Sequence, residues 1–297
     1  MSHIKKNIRL LPLCCLLCAV SVLADTASTI SPIDKRLVLE RNVDNNPFGL
    51  VPHKPNYLLP YTYNSSPNSA PFSTDPNYLD EEEMKFQISL KVLLVKQVFD
   101  RYSHLSFGYT AQTYFQTYNH DISAPFRETD HEPELMLSYL HPVNIGPVEF
   151  KVNTLGLSHQ SNGQTTERSR SWNRVYLQMV GQVDETYFRF KPWYRLRESK
   201  KDSPDDPNGD DNPDIEFYTG NFEFQIMRFL GDDSIGITLR NNLRSNNRGA
   251  VQIDWTLPLT KRLQGYVQIY NGYGESLIDY NDSTTRIGLG LMLTNWL

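Results

Sequence analysis

Three residues in the middle of the chain have the types and spacing that nucleophilic catalysis needs. His159 and Ser161 lie two residues apart, and Asn173 follows later in the same region. If two strands fold as a hairpin about Thr166, Asn173 lies directly opposite His159, with the two Cβ atoms about 5 Å apart. A serine, an imidazole that takes its proton and an amide that holds the ring are the parts of such a site. Unlike an acid, the amide brings no charge to stabilise the imidazolium.

The residues around this set predict which way it faces. Leu155 and Leu157 share the parity of His159 and Ser161, so all four lie on one face of a strand. Asn173 shares its face with an apolar row in the next segment, Val175, Leu177 and Met179. If the apolar face of these strands contacts lipid, the three polar residues face lipid as well.

The same alternation of apolar and polar residues runs through most of the chain. It is clearest at the end, where Ile287, Leu289, Leu291 and Leu293 point one way. About a dozen segments show it: near residues 57–64, 85–97, 103–117, 132–141, 147–161, 171–182, 186–197, 216–229, 233–243, 249–257, 262–271 and 285–296. No helical pattern of comparable strength separates them, which predicts an all-β fold.

Two all-β architectures fit this pattern. A soluble sandwich would bury the apolar face in a core, whereas a membrane barrel turns that face to lipid and keeps polar residues inside. The polar faces carry Gln, Tyr and Arg, and the chain contains 17 Tyr. These features favour a transmembrane antiparallel β-barrel of about 12 strands over residues 51–297.

The first 24 residues read as a secretory signal peptide. Lys5, Lys6 and Arg9 precede an apolar run from Leu10 to Val20, and Ala24 ends a small-residue cleavage site. Cleavage would remove all three cysteines and lower the net charge from −5 to −8. The predicted mature protein therefore lacks disulfides and thiolate metal ligands. Residues 25–50 have no clear period and are predicted to form a mobile periplasmic arm.

Composition excludes several classes of protein. The mean hydropathy of −0.49 excludes a bundle of transmembrane helices. The 12% aromatic content excludes a disordered chain. The acidic balance and the absence of a basic stripe predict no nucleic-acid partner.

The active-site region resembles that of the outer-membrane phospholipase A family. The signature is His159-Gln160-Ser161-Asn162-Gly163 followed by Ser169-Arg170-Ser171-Trp172-Asn173-Arg174. Further similar segments cover nearly the whole predicted mature chain: Asn46-Pro47-Phe48, Lys85–Leu90, Pro125–Thr129, Lys191–Tyr194, Asp210–Ile215 and Gly272–Asn281.

The resemblance implies a twelve-stranded barrel in the bacterial outer membrane. It implies calcium-dependent hydrolysis of acyl esters at both glycerol positions of phospholipids, and of lysophospholipids, by a homodimer. Ser161 matches the nucleophile, His159 the general base and Asn173 the orienting residue.

The resemblance also implies the calcium ligands. They match Gln164 and Ser169, with Ser123 contributed by the partner subunit, and a second calcium position matches Asp211. The family usually has Arg where this chain has Gln164, but that ligand is a backbone carbonyl. The spacing of the acidic residues around Asp211 does not fit an EF-hand, so sequence alone reads them as a solvated acidic loop.

A second function of a different class fits the same pattern. A non-catalytic pore or adhesin barrel would carry His159 and Ser161 merely as strand-end residues. A pore would have a wide, charged interior, whereas twelve strands rich in Tyr, Gln and Arg predict a filled lumen.

Overall fold

The computed structural model describes residues 30–43, 46, 49–122, 125–203, 206, 209–260 and 263–295. The predicted signal peptide, residues 1–24, lies outside these ranges. Within them the chain is almost wholly β-structure, with helices of 12 and 5 residues. The prediction of an all-β fold is confirmed.

The elements follow one another in a simple order. Helix α1 (Pro32–Val43) precedes strands β1 (Leu50–Pro52), β2 (Asn56–Asn64), β3 (Glu82–Lys96), β4 (Ser103–Phe115), β5 (Phe126–Tyr139), β6 (Val143–Ile145) and β7 (Val148–Ser161). A 3-10 turn (Thr166–Arg168) leads to β8 (Ser171–Val183), β9 (Thr186–Leu196) and helix α2 (Ile215–Thr219). The last strands are β10 (Phe222–Leu230), β11 (Asp233–Asn241), β12 (Gly249–Pro258), β13 (Gln264–Tyr273) and β14 (Ser283–Thr294).

Twelve of these strands form a closed antiparallel barrel. Each long strand pairs with the long strands before and after it, and β14 pairs with β2 to complete the ring. The short strands add to it locally, β1 along β3 and β6 along β7. Closure leaves no open sheet edge, which is the condition for spanning a bilayer with strands. The predicted dozen strands are confirmed.

The connections differ in length at the two ends of the barrel. Residues 97–102, 184–185 and 231–232 form short turns at one end, while 65–81 and 274–282 form long loops at the other. In outer-membrane barrels the short turns face the periplasm and the long loops face outward. The end of β7 that carries Ser161 therefore lies at the outer end.

Paired charges fill the lumen. Lys85 Nζ lies 2.9 Å from Glu275 Oε1, and Arg286 Nε lies 2.8 Å from the other oxygen of the same carboxylate. Arg127 Nε lies 3.0 Å from Glu83 Oε2, and all five side chains are buried. Buried charges are tolerated when each has a partner, and here they pack the space between strands. These paired side chains bridge the interior, unlike the open interior of a wide channel.

The outer surface of the barrel is apolar. Outward-facing positions on many strands leave large hydrophobic side chains exposed, which suits contact with lipid. Examples from around the ring are Ile88, Phe107, Leu135, Leu155, Leu177, Ile237, Ile253, Ile269 and Leu289.

None of the described helices is long and apolar enough to cross a membrane.

Part of the segment predicted to be a mobile arm, residues 25–50, forms a helix in the structure. Residues 32–43 form α1, and Ile33 packs among inward-facing residues of β8, β9 and β10 near the short-turn end. Ion pairs hold the helix: Asp34 with Lys151 at 2.6 Å and Glu40 with Lys91 at 2.9 Å. Since one buried residue and charges attach it, the helix has no apolar stripe for a sequence pattern to reveal.

The segment before β10 also differs. The predicted strand over 216–229 begins as α2, and the strand itself starts at Phe222. Ile215, buried to 1% exposure, joins a cluster with Trp172 and Leu277 at the outer end of the barrel. The helix therefore forms part of a polar and aromatic plug over the lumen.

Candidate active site

The hairpin of β7 and β8 places the three predicted residues as the sequence indicated. His159 pairs with Asn173 and Ser161 with Ser171 across the ladder. The side chain of Asn162 braces the connecting loop, because its Nδ2 donates to the Arg168 carbonyl at 2.8 Å and its Oδ1 accepts from Arg170 N at 3.0 Å. The buried Asn162 therefore fixes the loop immediately after Ser161.

The imidazole of His159 is held by the amide of Asn173. The distance from His159 Nδ1 to Asn173 Oδ1 is 2.9 Å. A carbonyl oxygen only accepts, so Nδ1 carries the proton and donates it. In the neutral ring, the second nitrogen, Nε2, then carries no proton and can accept one from a serine hydroxyl on the same face.

The set lies on the outer surface of the barrel. His159 is exposed, and on the same strand face Leu155 is 53% and Leu157 49% exposed. Leu177, on the face of Asn173 in β8, is exposed as well. A nucleophile on this face meets molecules that lie beside the barrel rather than molecules in its lumen.

Glu198 is a neighbour that sequence reasoning missed. It follows β9, is half-buried, and its Oε1 accepts a hydrogen bond of 2.8 Å from Asn173 Nδ2. The β8–β9 register places Leu196 opposite Asn173, so Glu198 falls diagonally beside it. Centring that hairpin on residues 184–185 could have found the contact.

His131 is a second neighbour that sequence reasoning missed. It lies in β5 and pairs with Ser161 of β7, so a second histidine lies on the strand next to the serine. Its Nδ1 lies 2.6 Å from the hydroxyl of Tyr109 in β4. The long β5–β7 connection, residues 140–147, hides this register from a simple hairpin argument, because β6 interrupts it.

Side chains on the lumen-facing side of the hairpin hold the backbone that carries the outward-facing residues. Gln160 Oε1 accepts hydrogen bonds from Trp172 Nε1 at 2.9 Å and from Arg174 Nη2 at 3.2 Å. Arg174 also pairs with Glu132 of β5 at 2.8 Å. These side chains alternate with His159, Ser161 and Asn173 along the strands. They fix the backbone from inside, which pre-organises the exposed set.

Two of the residues predicted as calcium ligands meet behind the hairpin loop. Ser169 Oγ donates to Asp211 Oδ2 at 2.7 Å, and Lys201 Nζ lies 2.6 Å from Asp211 Oδ1. Gln164 lies in the same connection, half-buried, with its backbone N–H 3.3 Å from Asn162 Oδ1. Ser123 lies outside the described residues. Among those described, no three His, Cys, Asp or Glu residues cluster as a metal site.

Two side chains anchor the segment that carries Asp211. Arg195 Nη2 binds Asp210 at 2.6 Å, and Arg195 Nη1 donates to the Pro213 carbonyl at 3.0 Å. The Tyr280 hydroxyl donates to Asp214 at 2.7 Å. Burial and this bond raise the pKa of Tyr280, so the phenol keeps its proton and remains a donor. Specific contacts thus hold the segment from Asp210 to Asp214 in place.

The main interior cavity does not reach His159 or Ser161. A cavity of about 180 Å³ lies inside the barrel between Arg174, Lys191 and Glu223, and neither His159 nor Ser161 lines it. These residues are open to the outer surface instead, where one barrel supplies a single wall.

Comparisons with known proteins agree with this geometry. A family model described as phospholipase A1 matches residues 33–293. The phospholipase A1 of Escherichia coli K12 is 36% identical over 254 residues, covering 84% of this chain and 83% of that protein.

Solved structures match as well. The crystal structure of the Salmonella typhi outer membrane phospholipase dimer with bound calcium has a TM-score of 0.78 at 34% identity, covering 85% of this chain and 95% of that one. Outer membrane phospholipase A from Escherichia coli has a TM-score of 0.77 at 34% identity, covering 84% and 100% respectively.

Proposed function

The chain belongs to the phospholipase A1 family of the bacterial outer membrane, and from this premise we propose that it cleaves both the sn-1 and sn-2 acyl esters of phospholipids, and the ester of lysophospholipids, in a calcium-dependent reaction. Ser161 is the nucleophile, His159 the general base and Asn173 the residue that orients it. The observation that carries this proposal is the bond from His159 to Asn173 on a face shared with exposed leucines.

The chemistry follows from the proton positions. Ser161 Oγ attacks the ester carbonyl while His159 Nε2 takes the serine proton. The tetrahedral intermediate collapses to an acyl-serine, and the imidazolium returns the proton to the departing glycerol oxygen. Water then attacks the acyl-serine with His159 as base, which releases the fatty acid and restores the serine. Asn173 holds the ring through both proton transfers.

The oxygen atoms behind the loop suit calcium, a hard cation that takes carboxylate, hydroxyl and carbonyl ligands. We assign Ser169 and the backbone carbonyl of Gln164 to one position, completed by Ser123 of the partner subunit, and Asp211 to a second. The Ser169–Asp211 contact of 2.7 Å places two such oxygens side by side. The ammonium group of Lys201 already pairs with the Asp211 carboxylate. When bound, calcium would supply positive charge that stabilises the oxyanion of the tetrahedral intermediate.

The active form in this proposal is a homodimer. A phospholipid must be held in a cleft while it is hydrolysed. The exposed face around Leu155 and Leu157 forms only one wall of such a cleft and is open to the membrane. A second barrel laid along this face would supply the other wall. The solved relative from Salmonella typhi, described as a dimer with bound calcium, supports the same arrangement.

The test is fatty-acid release from phospholipid–detergent micelles by the purified protein. We expect release with calcium, none with a chelator, and none from Ser161→Ala. Substrates labelled separately at sn-1 and sn-2 read out both ester positions. A conductance measurement on the same preparation in liposomes checks the pore alternative, which the filled lumen argues against. Equal release with chelator, or from Ser161→Ala, would overturn the proposal.

A further inference from the structure

Glu198, Asn173 and His159 form a hydrogen-bonded chain with Asn173 in the middle. Asn173 Nδ2 donates to Glu198 Oε1 at 2.8 Å, and Asn173 Oδ1 accepts from His159 Nδ1 at 2.9 Å. The amide thus has a different partner at each end. Glu198 lies in the loop after β9, so this contact joins a third element to the β7–β8 hairpin.

The carboxylate determines which way the amide points. An ionised carboxylate only accepts hydrogen bonds, so the NH₂ group of Asn173 must face Glu198. The amide oxygen then faces His159, and only a protonated Nδ1 can satisfy it. Without Glu198 the amide could turn over and present its NH₂ group to Nδ1. That arrangement would place the ring proton on Nε2, where it blocks proton transfer from a serine.

The carboxylate also supplies the charge that an asparagine lacks. During catalysis the imidazole becomes a cation, and an acid in place of Asn173 would stabilise it directly. Here a negative charge lies one amide away, on a half-buried side chain. Asn173 and Glu198 together therefore orient the histidine and supply the negative charge, two roles that a single aspartate fills in Ser-His-Asp triads.

We infer that Glu198 is a positioning residue for the reaction: it locks the amide of Asn173, and through it the tautomer of His159. This inference rests on the proposed function of His159 and Ser161. The competing explanation is that Glu198 only anchors the loop after β9, and the two explanations predict different results in an Asn173→Ala background.

The kinetic test uses Glu198→Ala and Glu198→Gln in the full-length, detergent-solubilised protein. We expect kcat to fall about tenfold in Glu198→Ala, the loss that corresponds to one charge-assisted hydrogen bond, with KM unchanged. Glu198→Gln keeps an acceptor without the charge, so it should lose only about threefold. Asp202→Asn removes the same charge from an exposed site in the same loop and should retain wild-type kcat.

The double variants separate positioning from anchoring. If Glu198 acts through the amide, adding Glu198→Ala to Asn173→Ala costs no further activity. An equal tenfold loss in both backgrounds, or a change in KM alone, would overturn the inference.

A spectroscopic readout keeps the inference testable even if the proposed function fails. Nitrogen NMR of histidine-labelled protein, with the His159 signal assigned by its loss in His159→Gln, should show the Nδ1-protonated tautomer. Glu198→Ala should shift part of the population to the Nε2-protonated form. An unchanged tautomer in Glu198→Ala would contradict the inference, whereas absent hydrolysis by folded wild-type protein would contradict the proposed function instead.

Discussion

At the scale of residues, the exposed position of His159 makes its hydrogen bond to Asn173 important. A side chain on an open surface has many rotamers, and each wrong one separates the base from the nucleophile. The bond of 2.9 Å restricts the ring to one orientation. Loss of this bond should therefore lower activity only by misplacing the imidazole, because the imidazole itself remains.

Asn173→Ala should lower kcat by up to about a hundredfold, the scale of loss for a misplaced catalytic group, and leave activity measurable. Fatty-acid release with calcium is the measurement. Asn271→Ala, which removes an exposed asparagine from β13, is the matched control and should keep wild-type activity. If Asn173→Ala were as inactive as Ser161→Ala, the amide would have to do more than orient the ring.

Lys201→Gln should raise the affinity for calcium about fivefold. The ammonium lies 2.6 Å from Asp211 Oδ1 and competes with any other cation at that carboxylate, at a strength of about 1 kcal/mol for such a pair. Titration calorimetry of calcium binding tests this without reference to activity. Lys200→Gln, from the neighbouring exposed lysine, is the control. Equal affinities for wild type and Lys201→Gln would show that calcium does not bind at Asp211.

The site was partly predictable from residue types and register. His159 and Asn173 share one short hairpin, so counting from Thr166 was enough to pair them. His131 escaped because an interrupted connection brings it beside Ser161, whereas Glu198 could have been found by counting across the short β8–β9 turn. The catalytic roles came from residue types and register together with family resemblance, the calcium ligands came from the resemblance alone, and both remain predictions.

At the scale of elements, α1 is attached to the barrel by charge more than by packing. Glu40 pairs with Lys91 and Arg36. Burial acts to raise the pKa of Glu40, but the two cations outweigh it, so its pKa lies below the ordinary value of 4.5. This contribution to docking is therefore complete above pH 4.5 and is lost as the pH falls through the lowered pKa.

Glu40→Gln should loosen α1 at neutral pH by about 1 kcal/mol, the scale of one such ion pair. Trypsin should then cleave after Lys35, Arg36 or Arg41 several times faster while the barrel stays intact. Glu185→Gln removes an exposed carboxylate from a turn at the same end of the barrel and serves as the control. Unchanged cleavage would show that the ion pairs do not hold the helix.

The secondary-structure elements were predictable where apolar and polar residues recur with a regular period. A barrel strand must alternate between lipid and lumen, so nearly every long strand showed its pattern in sequence. The helices did not: α1 is held by ion pairs, and α2 is a five-residue turn of helix whose Ile215 packs into the plug. The spacing of apolar residues along the sequence does not reveal such tertiary contacts.

At the scale of the whole molecule, a closed and filled barrel has only its outer surface for function. The exposed leucines of β5, β7 and β8 make that surface apolar around Ser161. In the proposed function, this arrangement keeps the nucleophile Ser161 within reach of lipid at all times. Control must then come from the second wall of the cleft, that is, from association.

Activity should therefore follow the dimer fraction. On dilution in detergent, specific activity should fall in step with dissociation measured by sedimentation, and calcium should raise the dimer fraction because a shared cation links binding to association. A substrate analogue should raise it further. Constant specific activity where the protein is wholly monomeric would contradict the two-subunit site.

The central claim is that Ser161 on the lipid-facing surface is the nucleophile. The most direct measurement is covalent labelling with a long-chain alkylphosphonate ester, which reacts with an activated serine, followed by mass spectrometry of the peptides. The proposed function predicts an adduct on Ser161 in wild type, a much slower reaction in His159→Ala and no adduct in Ser161→Ala. An adduct on another serine, or phospholipid hydrolysis that persists in Ser161→Ala, would contradict it.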